Sequence, residues 1–133
     1  MRFYMAAHAL IEKDGCYLVI RRSASNNYMP LKWDIPGGVV KAGESLEDSI
    51  HREVHEETKL EVDILSVEYI YSNRDQIPKR QTFQAIYRCK YICGNVSLNP
   101  LEHDKFGWVD LEQMAKLDLI AFLKNYIKPR SQF

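Results

Sequence analysis

The sequence predicts a mixed α/β (α+β) domain, and three observations carry that expectation. Apolar residues alternate at period two in segments on both sides of one central helical pattern, a second helical pattern follows near the end of the chain, and turn-forming residues punctuate the segments. Strands that precede and follow a helix suit a mostly antiparallel or mixed sheet. No internal repeat, low-complexity tract or linker interrupts the pattern, so residues 1–133 read as a single domain. A chain of 133 residues fits one ordinary domain, and 46% apolar with 27% charged residues suffices to bury a core.

The elements follow in order. Residues 3–12 are mostly apolar, Lys13-Asp14-Gly15 supplies turn chemistry, and Cys16 to Ile20 run apolar again before Arg21-Arg22, which predicts a β-hairpin. Residues 23–32 carry Ser, Asn and Pro with little periodicity and read as a loop long enough for a binding role. After Trp33-Asp34-Ile35-Pro36-Gly37-Gly38 comes a second glycine-containing loop. Ser45 then caps a helix over 45–58 whose apolar residues Leu46, Ile50 and Val54 recur every four positions. Asp48 resembles the reciprocal half of a capping box. Strands are predicted over 61–71 and 82–92, separated by a polar loop over 72–79. Gly94-Asn95 reads as a turn, 106–109 as a short strand, and 111–127 as a helical tail with a break near Lys116-Leu117-Asp118.

Charge excludes some functions. Eighteen Lys plus Arg balance eighteen Asp plus Glu, so no net positive field exists to hold a nucleic acid or an anionic membrane. No apolar run approaches the ~18–20 residues of a bilayer span, and the first eight residues turn polar too early for a secretory signal. A cytoplasmic protein is the expectation. Cys16, Cys89 and Cys93 are odd in number and lack paired spacing, which suits reduced structural thiols.

The informative stretch is Arg52-Glu53-Val54-His55-Glu56-Glu57. Glu53, Glu56 and Glu57 stand at i, i+3 and i+4, which directs three carboxylates to one side of a helical turn. The projection also sets Glu53 and Glu57 beside the Leu46, Ile50 and Val54 stripe, away from the solvated face. Acids near a helix C-terminus oppose the macrodipole by ~0.3–1 kcal/mol each. A divalent cation such as Mg²⁺, which takes hard oxygen ligands, removes the conflict. The bland alternative is a surface acidic turn neutralised by Arg52, His55 and Lys59.

The upstream residues extend the pattern to Gly38-x5-Glu44-x7-Arg52-Glu53-Val54-x-Glu56-Glu57-x-Lys59-Leu60. This resembles the signature of the Nudix hydrolases, Gly-x5-Glu-x7-Arg-Glu-U-x-Glu-Glu-x-Gly-U with U aliphatic, at every defined position but one. The hairpin ending in Arg21-Arg22, the Trp33 to Gly38 segment and Glu102 ahead of Trp108-Val109 also look like MutT-like members, so the likeness covers roughly residues 3 to 125. It implies a mixed β-sheet sandwiched between helices. The departure is Lys59 where the family has Gly; a Lys in the left-handed conformation of a helix C-cap costs ~1–2 kcal/mol.

The resemblance further implies hydrolysis of a nucleoside diphosphate linked to another group, with Mg²⁺, or Mn²⁺ in its place. Glu53, Glu56 and Glu57 then hold the metal together with the main-chain carbonyl of Gly37, and Arg52 ties the helix to its loop through Glu44. Glu102 is a further candidate to hold metal or activate water, with Asp104 its rival. Arg22 resembles a phosphate-contacting position, with Arg21 the competitor because adjacent strand residues face opposite sides. Gly38 lets a substrate approach closely, and Trp33 is a candidate to stack on the base. Tyr28, Tyr71 and Phe83 could also stack, though aromatics in such strands commonly serve the core. Motifs for coenzyme A or NADH are missing, and Pro78 falls about two positions too late for the downstream Pro of ADP-ribose hydrolases. A nucleoside triphosphate, cleaved to nucleoside monophosphate and pyrophosphate, is the default substrate. The alternatives are another derivative such as ADP-ribose, a noncatalytic nucleotide sensor that keeps the fold, or a plain structural domain. Oligomeric state is not legible.

Overall fold

The computed structural model describes residues 1–76 and 79–130. Pro78 lies outside the described residues. β1 (Arg2–Lys13) and β2 (Cys16–Arg22) form the expected hairpin, paired antiparallel through Lys13 and Cys16. Its two-residue turn has both Asp14 and Gly15 at positive φ, 52° and 80°, the hand that matches the twist of the flanking strands. β3 (Trp33–Asp34), β4 (Gly37–Val39), β5 (Glu61–Asp75), β6 (Arg80–Cys93) and β7 (His103–Val109) complete one sheet in the order β3-β2-β1-β6-β5, with β4 added to β1 and β7 to β2. β1 and β6 run parallel and the other pairs antiparallel, so the sheet is mixed.

Helix α1 (Leu46–Thr58) covers one face, and α2 (Leu111–Ala115) with α3 (Ala121–Ile127) covers the other. Alternation in the strands divides the core accordingly. Leu10, Val19 and Ile86 pack with Met114, Phe122, Leu123 and Ile127, whereas Ala9, Ile11, Leu18 and Cys89 pack with Ile50 and Val54. The sandwich of helices about a mixed sheet is thus as expected. The helical tail breaks where anticipated, because Trp33 accepts the N–H of Ile120 and donates its own to Asp118, pulling the chain into the sheet edge between α2 and α3.

Three local expectations need correction. Residues 72–75 are not loop but the end of β5, with Asn73 opposite Thr82 and Asp75 opposite Arg80. Their polarity reflects bonding to other polar strand residues, Gln84 to Asn73 and Arg80 to Asp75. Gly94 and Asn95 lie in an irregular segment instead of a turn. There φ of 108° and the absence of a Cβ, which would sit 2.9 Å from the Lys59 carbonyl oxygen, bring the chain against the end of α1. Ser45 caps α1 by accepting from the Asp48 N–H, a one-sided cap in place of the expected reciprocal box. The reciprocal box forms instead at Asp110 and Gln113 of α2. In β5 three register shifts turn Leu65 and Val67 outward despite the apolar alternation.

Lys59 adopts the left-handed conformation that its family position requires, φ 66° and ψ 14°, and its N–H bonds the His55 carbonyl. The strain is therefore present in the native protein. Lys59→Gly is expected to stabilise the protein by about 1 kcal/mol, read as a rise in the denaturant midpoint with unchanged slope; an unchanged or lower midpoint would contradict the strain.

Candidate active site

Because β1 and β6 are parallel neighbours, alternate side chains of both fall on one face in register. Tyr4, Ala6 and His8 thus lie alongside Arg80, Thr82 and Gln84, with Tyr4 paired to Thr82 and Ala6 to Gln84. They line a cavity of about 640 Å³ whose other walls come from Tyr28 and its loop, Gly37-Gly38, the acids of α1, Glu102-His103 and Phe122. The 23–32 loop is thereby a wall of the cavity. Its anchor is the segment before β7: Ser23 N–H and Asn26 Nδ2 donate to the Glu102 carbonyl, and Ser23 Oγ donates to that of Leu101.

Two of the helix acids enter the cavity. Glu57 is 12% exposed, and its Oε1 accepts the Gly37 N–H at 2.8 Å. Burial pushes its pKa well above the usual carboxylate range, opposed by that hydrogen bond and reinforced by Glu53, Asp34 and Glu102. Glu53 is also raised by burial, against the pull of Arg52, whose Nη1 donates to it at 2.8 Å. Both glycines exist for close approach. A Cβ on Gly38 would lie 2.8 Å from Glu53 Oε1, and one on Gly37 would strike the Ala7 carbonyl and stand 2.6 Å from the His8 Cα. Glu56 does not join them. It is 55% exposed at the outer edge of the turn, reached by Arg52 at 3.4 Å, so the expected convergence of three carboxylates is met by Glu53 and Glu57, with Glu56 on the rim.

Arg52 grips Glu44 through two parallel bonds of 2.7 and 2.9 Å. With a third bond to Glu53, this fork fastens α1 to the loop before it. The Arg52 guanidinium and the Lys41 N–H hold the Glu44 carboxyl down at about 2.

The structure separates the sequence rivals. Arg22 lines the cavity, while Arg21 turns away and forms a two-bond pair with Asp104 at 2.8 and 2.9 Å. Glu102, not Asp104, is therefore the late acid at the cavity. Arg22 is engaged with its own loop, bonding the Tyr28 carbonyl at 2.6 Å, Asn26 at 2.9 Å and Asp34 at 3.4 Å, which makes it a loop clamp in this structure. Trp33 corrects an expectation: it does not line the cavity but packs against the core of Leu119 and Ile120, because its strand is fastened to the α2–α3 connection. The aromatic rings at the cavity are Tyr4, Tyr28 and Phe122. Tyr71 packs on the core, and Phe83, on the α1 side of β6, lies 6.5 Å from Phe3.

Sequence reasoning missed several residues here. His8, 5% exposed, stacks on Phe122 and bonds Gln84 Oε1 through Nε2 at 2.7 Å. The polarity of that bond is fixed from the far end, since Asp75 only accepts: Asn73 Nδ2 donates to Asp75, Gln84 Nε2 donates to Asn73 Oδ1, and Gln84 Oε1 must then receive the His8 proton. Burial lowers the His8 pKa, which favours the neutral ring. Arg80 and Arg22 flank the Tyr28 ring at 5.2 and 5.3 Å. His103 is buried beside Glu57. The one signal available was His8 itself, a lone polar residue in the apolar run Ala6 to Ile11.

The donor set fits a divalent cation. Among the described residues the Gly37 N–H is the hydrogen-bond partner of Glu57, and its nearest basic group is the His103 ring at 3.8 Å, whose pKa burial lowers. A buried carboxylate without a cationic partner is costly, and a hard cation supplies that partner. Around it lie arginines and aromatic rings suited to a phosphate chain and a base.

The site thus sets the acids of one helix against the Gly37-Gly38 strand in a mixed sheet flanked by helices. A family model described as the NUDIX domain matches residues 2–129, and the chain belongs to that family; it is a Nudix hydrolase. It is 33% identical over 120 residues to the nucleoside triphosphatase NudI of Salmonella schwarzengrund, covering 83% of this chain and 84% of that one. It is 29% identical over 126 residues to an ADP-ribose pyrophosphatase of Methanocaldococcus jannaschii, covering 93% and 73%. Among solved structures, the MutT protein from Methanosarcina mazei Go1 superposes with a TM-score of 0.85 at 27% identity, covering 96% of this chain and 92% of that one. Nudix hydrolases generally use divalent metal ions. No helix among the described residues is long and apolar enough to cross a membrane.

Proposed function

We propose that residues 1–133 act as one Nudix hydrolase domain that cleaves a nucleoside triphosphate to nucleoside monophosphate and pyrophosphate with Mg²⁺, for which Mn²⁺ can substitute. The observation that carries this reading is that one cavity is lined both by the acids Glu53, Glu57 and Glu102 and by Arg22, Arg80 and Tyr28. When bound, a divalent cation would supply charge neutralisation for the phosphate oxygens and a position for a water nucleophile. Glu53, Glu56, Glu57 and the Gly37 carbonyl would hold it, Glu56 from the rim. Arg52, through Glu44, keeps the acids in register. Gly38 leaves room beside Glu53 for a phosphate. Arg80 meets the phosphate chain, and Arg22 holds the Tyr28 loop against it. Tyr28, Tyr4 and Phe122 offer faces to the base.

The name of the Methanocaldococcus relative favours a second reading, ADP-ribose as substrate. The name of the Salmonella relative favours the first. A panel of nucleoside triphosphates, ADP-ribose and other nucleoside diphosphate derivatives with Mg²⁺ decides between them. Monophosphate and pyrophosphate from a triphosphate, at kcat/KM at least ~10-fold above that for ADP-ribose, is the expected result. The reverse order would select the second reading, and no turnover of any member would support a sensor.

A further inference from the structure

Outside the signature glutamates, His103 is the polar group whose surroundings are least explained by folding. It is 3% exposed, at the first position of β7, and both ring nitrogens are buried with no hydrogen-bond partner among the described residues. Buried imidazoles nearly always bond through at least one nitrogen. Here Nε2 stands 3.8 Å from Glu57 Oε2, the oxygen left over after Oε1 accepts from Gly37. Glu102 brings a further carboxylate oxygen, and one donor atom from each of the three residues lies within 4.8 Å of the others.

We infer that Glu57, Glu102 and His103 form a transition-metal subsite, in which the His103 nitrogen gives Mn²⁺ or Co²⁺ an advantage over Mg²⁺. The inference rests on the proposed metal-dependent reading, because Glu57 is shared between this subsite and the other helix acids. The geometry is close to what an ion needs. Donors about 2.1 Å from an octahedral centre stand roughly 3.0 Å apart when adjacent and 4.2 Å when opposite, so small side-chain movements draw the three together. Their backbone is already set. The Glu102 carbonyl accepts from Ser23 and Asn26, and the N–H groups of Glu102 and His103 both bond the Asn99 carbonyl at 2.9 Å. The donor chemistry then decides the ion. Mg²⁺ prefers oxygen in near-ideal octahedra and dehydrates reluctantly, whereas Mn²⁺ and Co²⁺ accept imidazole, with Co²⁺ the tighter binder.

The test uses the full chain loaded with Mn²⁺ and read by pulsed electron paramagnetic resonance, which detects a directly bound nitrogen independently of turnover. Nitrogen coupling is expected in the wild-type protein and is expected to vanish in His103→Gln, where His8, His51 and His55 remain as controls. By titration, that variant should lose at least ~10-fold in Mn²⁺ and Co²⁺ affinity while Mg²⁺ affinity changes less than ~3-fold. His103→Cys loaded with Co²⁺ covers the case of a His103→Gln that does not fold; a thiolate-to-cobalt charge-transfer band missing from the wild type would place position 103 on the ion. Mn²⁺ bound to the wild-type protein without nitrogen coupling, or coupling that persists in His103→Gln, overturns the inference and leaves the carboxylate reading standing. Absence of any bound Mn²⁺ or Mg²⁺ overturns both.

Discussion

Turnover of the nucleotide substrate is expected to fall to the uncatalysed background when divalent cations are removed by exhaustive chelation, and to return when Mg²⁺ or Mn²⁺ is restored. The reason lies in Glu57. Burial opposes its ionisation, its hydrogen-bond partner among the described residues is the Gly37 backbone N–H, and Glu53 beside it adds like charge. A cation that binds only the folded protein also stabilises it, by about 2.7 kcal/mol at a hundredfold excess over Kd, so the melting temperature should climb with Mg²⁺ concentration by several degrees. Hydrolysis that survives complete chelation, with a melting temperature indifferent to Mg²⁺, would return these acids to a structural role.

Glu57→Gln should lower kcat by at least ~10², on the scale of losing one preorganised electrostatic group, and should at the same time raise the melting temperature of the metal-free protein. Glutamine keeps an oxygen for the Gly37 N–H but carries no charge into the buried site. The sign with pH follows from the raised pKa. A carboxyl held more tightly protonated in the folded state contributes stability that is full below its ordinary pKa of about 4.3 and is lost as pH rises through the folded value. The stabilisation of Glu57→Gln over the metal-free wild type should therefore be greatest above that folded value and fade as pH falls toward about 4. A metal-free variant less stable than wild type at neutral pH, with activity kept, would contradict the account.

Much of this site was legible because its chemistry is local in sequence. Glu44, Arg52, Glu53 and Glu57 lie on one helix and the loop before it, where spacing alone puts Glu53 and Glu57 beside the buried Ile50 and Val54. Rotation about a helix cannot say how far a side chain at the edge of the stripe reaches, so Glu56 was grouped with acids that it meets only on the rim. What depends on strand pairing was not legible. Residues 72–75 look like loop until Asn73 and Asp75 are seen to close a hydrogen-bonded chain to His8. Trp33 looks like a base-stacking residue until the α2–α3 connection is seen to fasten its strand to the core. His103 gains meaning only when β7, paired with β2, sets it opposite Glu57 of α1. Long-range contacts of this kind have no periodic trace in the chain.

The most direct measurement of the central claim is the position of the new bond. With the preferred nucleoside triphosphate hydrolysed in ¹⁸O-water in the presence of Mg²⁺, label is expected in pyrophosphate and none in the monophosphate. That outcome means water attacks the β-phosphorus and the nucleoside monophosphate leaves, as the proposed cleavage to monophosphate and pyrophosphate expects. Label in the nucleoside monophosphate would mean attack at the α-phosphorus, and labelled orthophosphate with nucleoside diphosphate would mean attack at the γ-phosphorus; either would contradict the assigned substrate geometry.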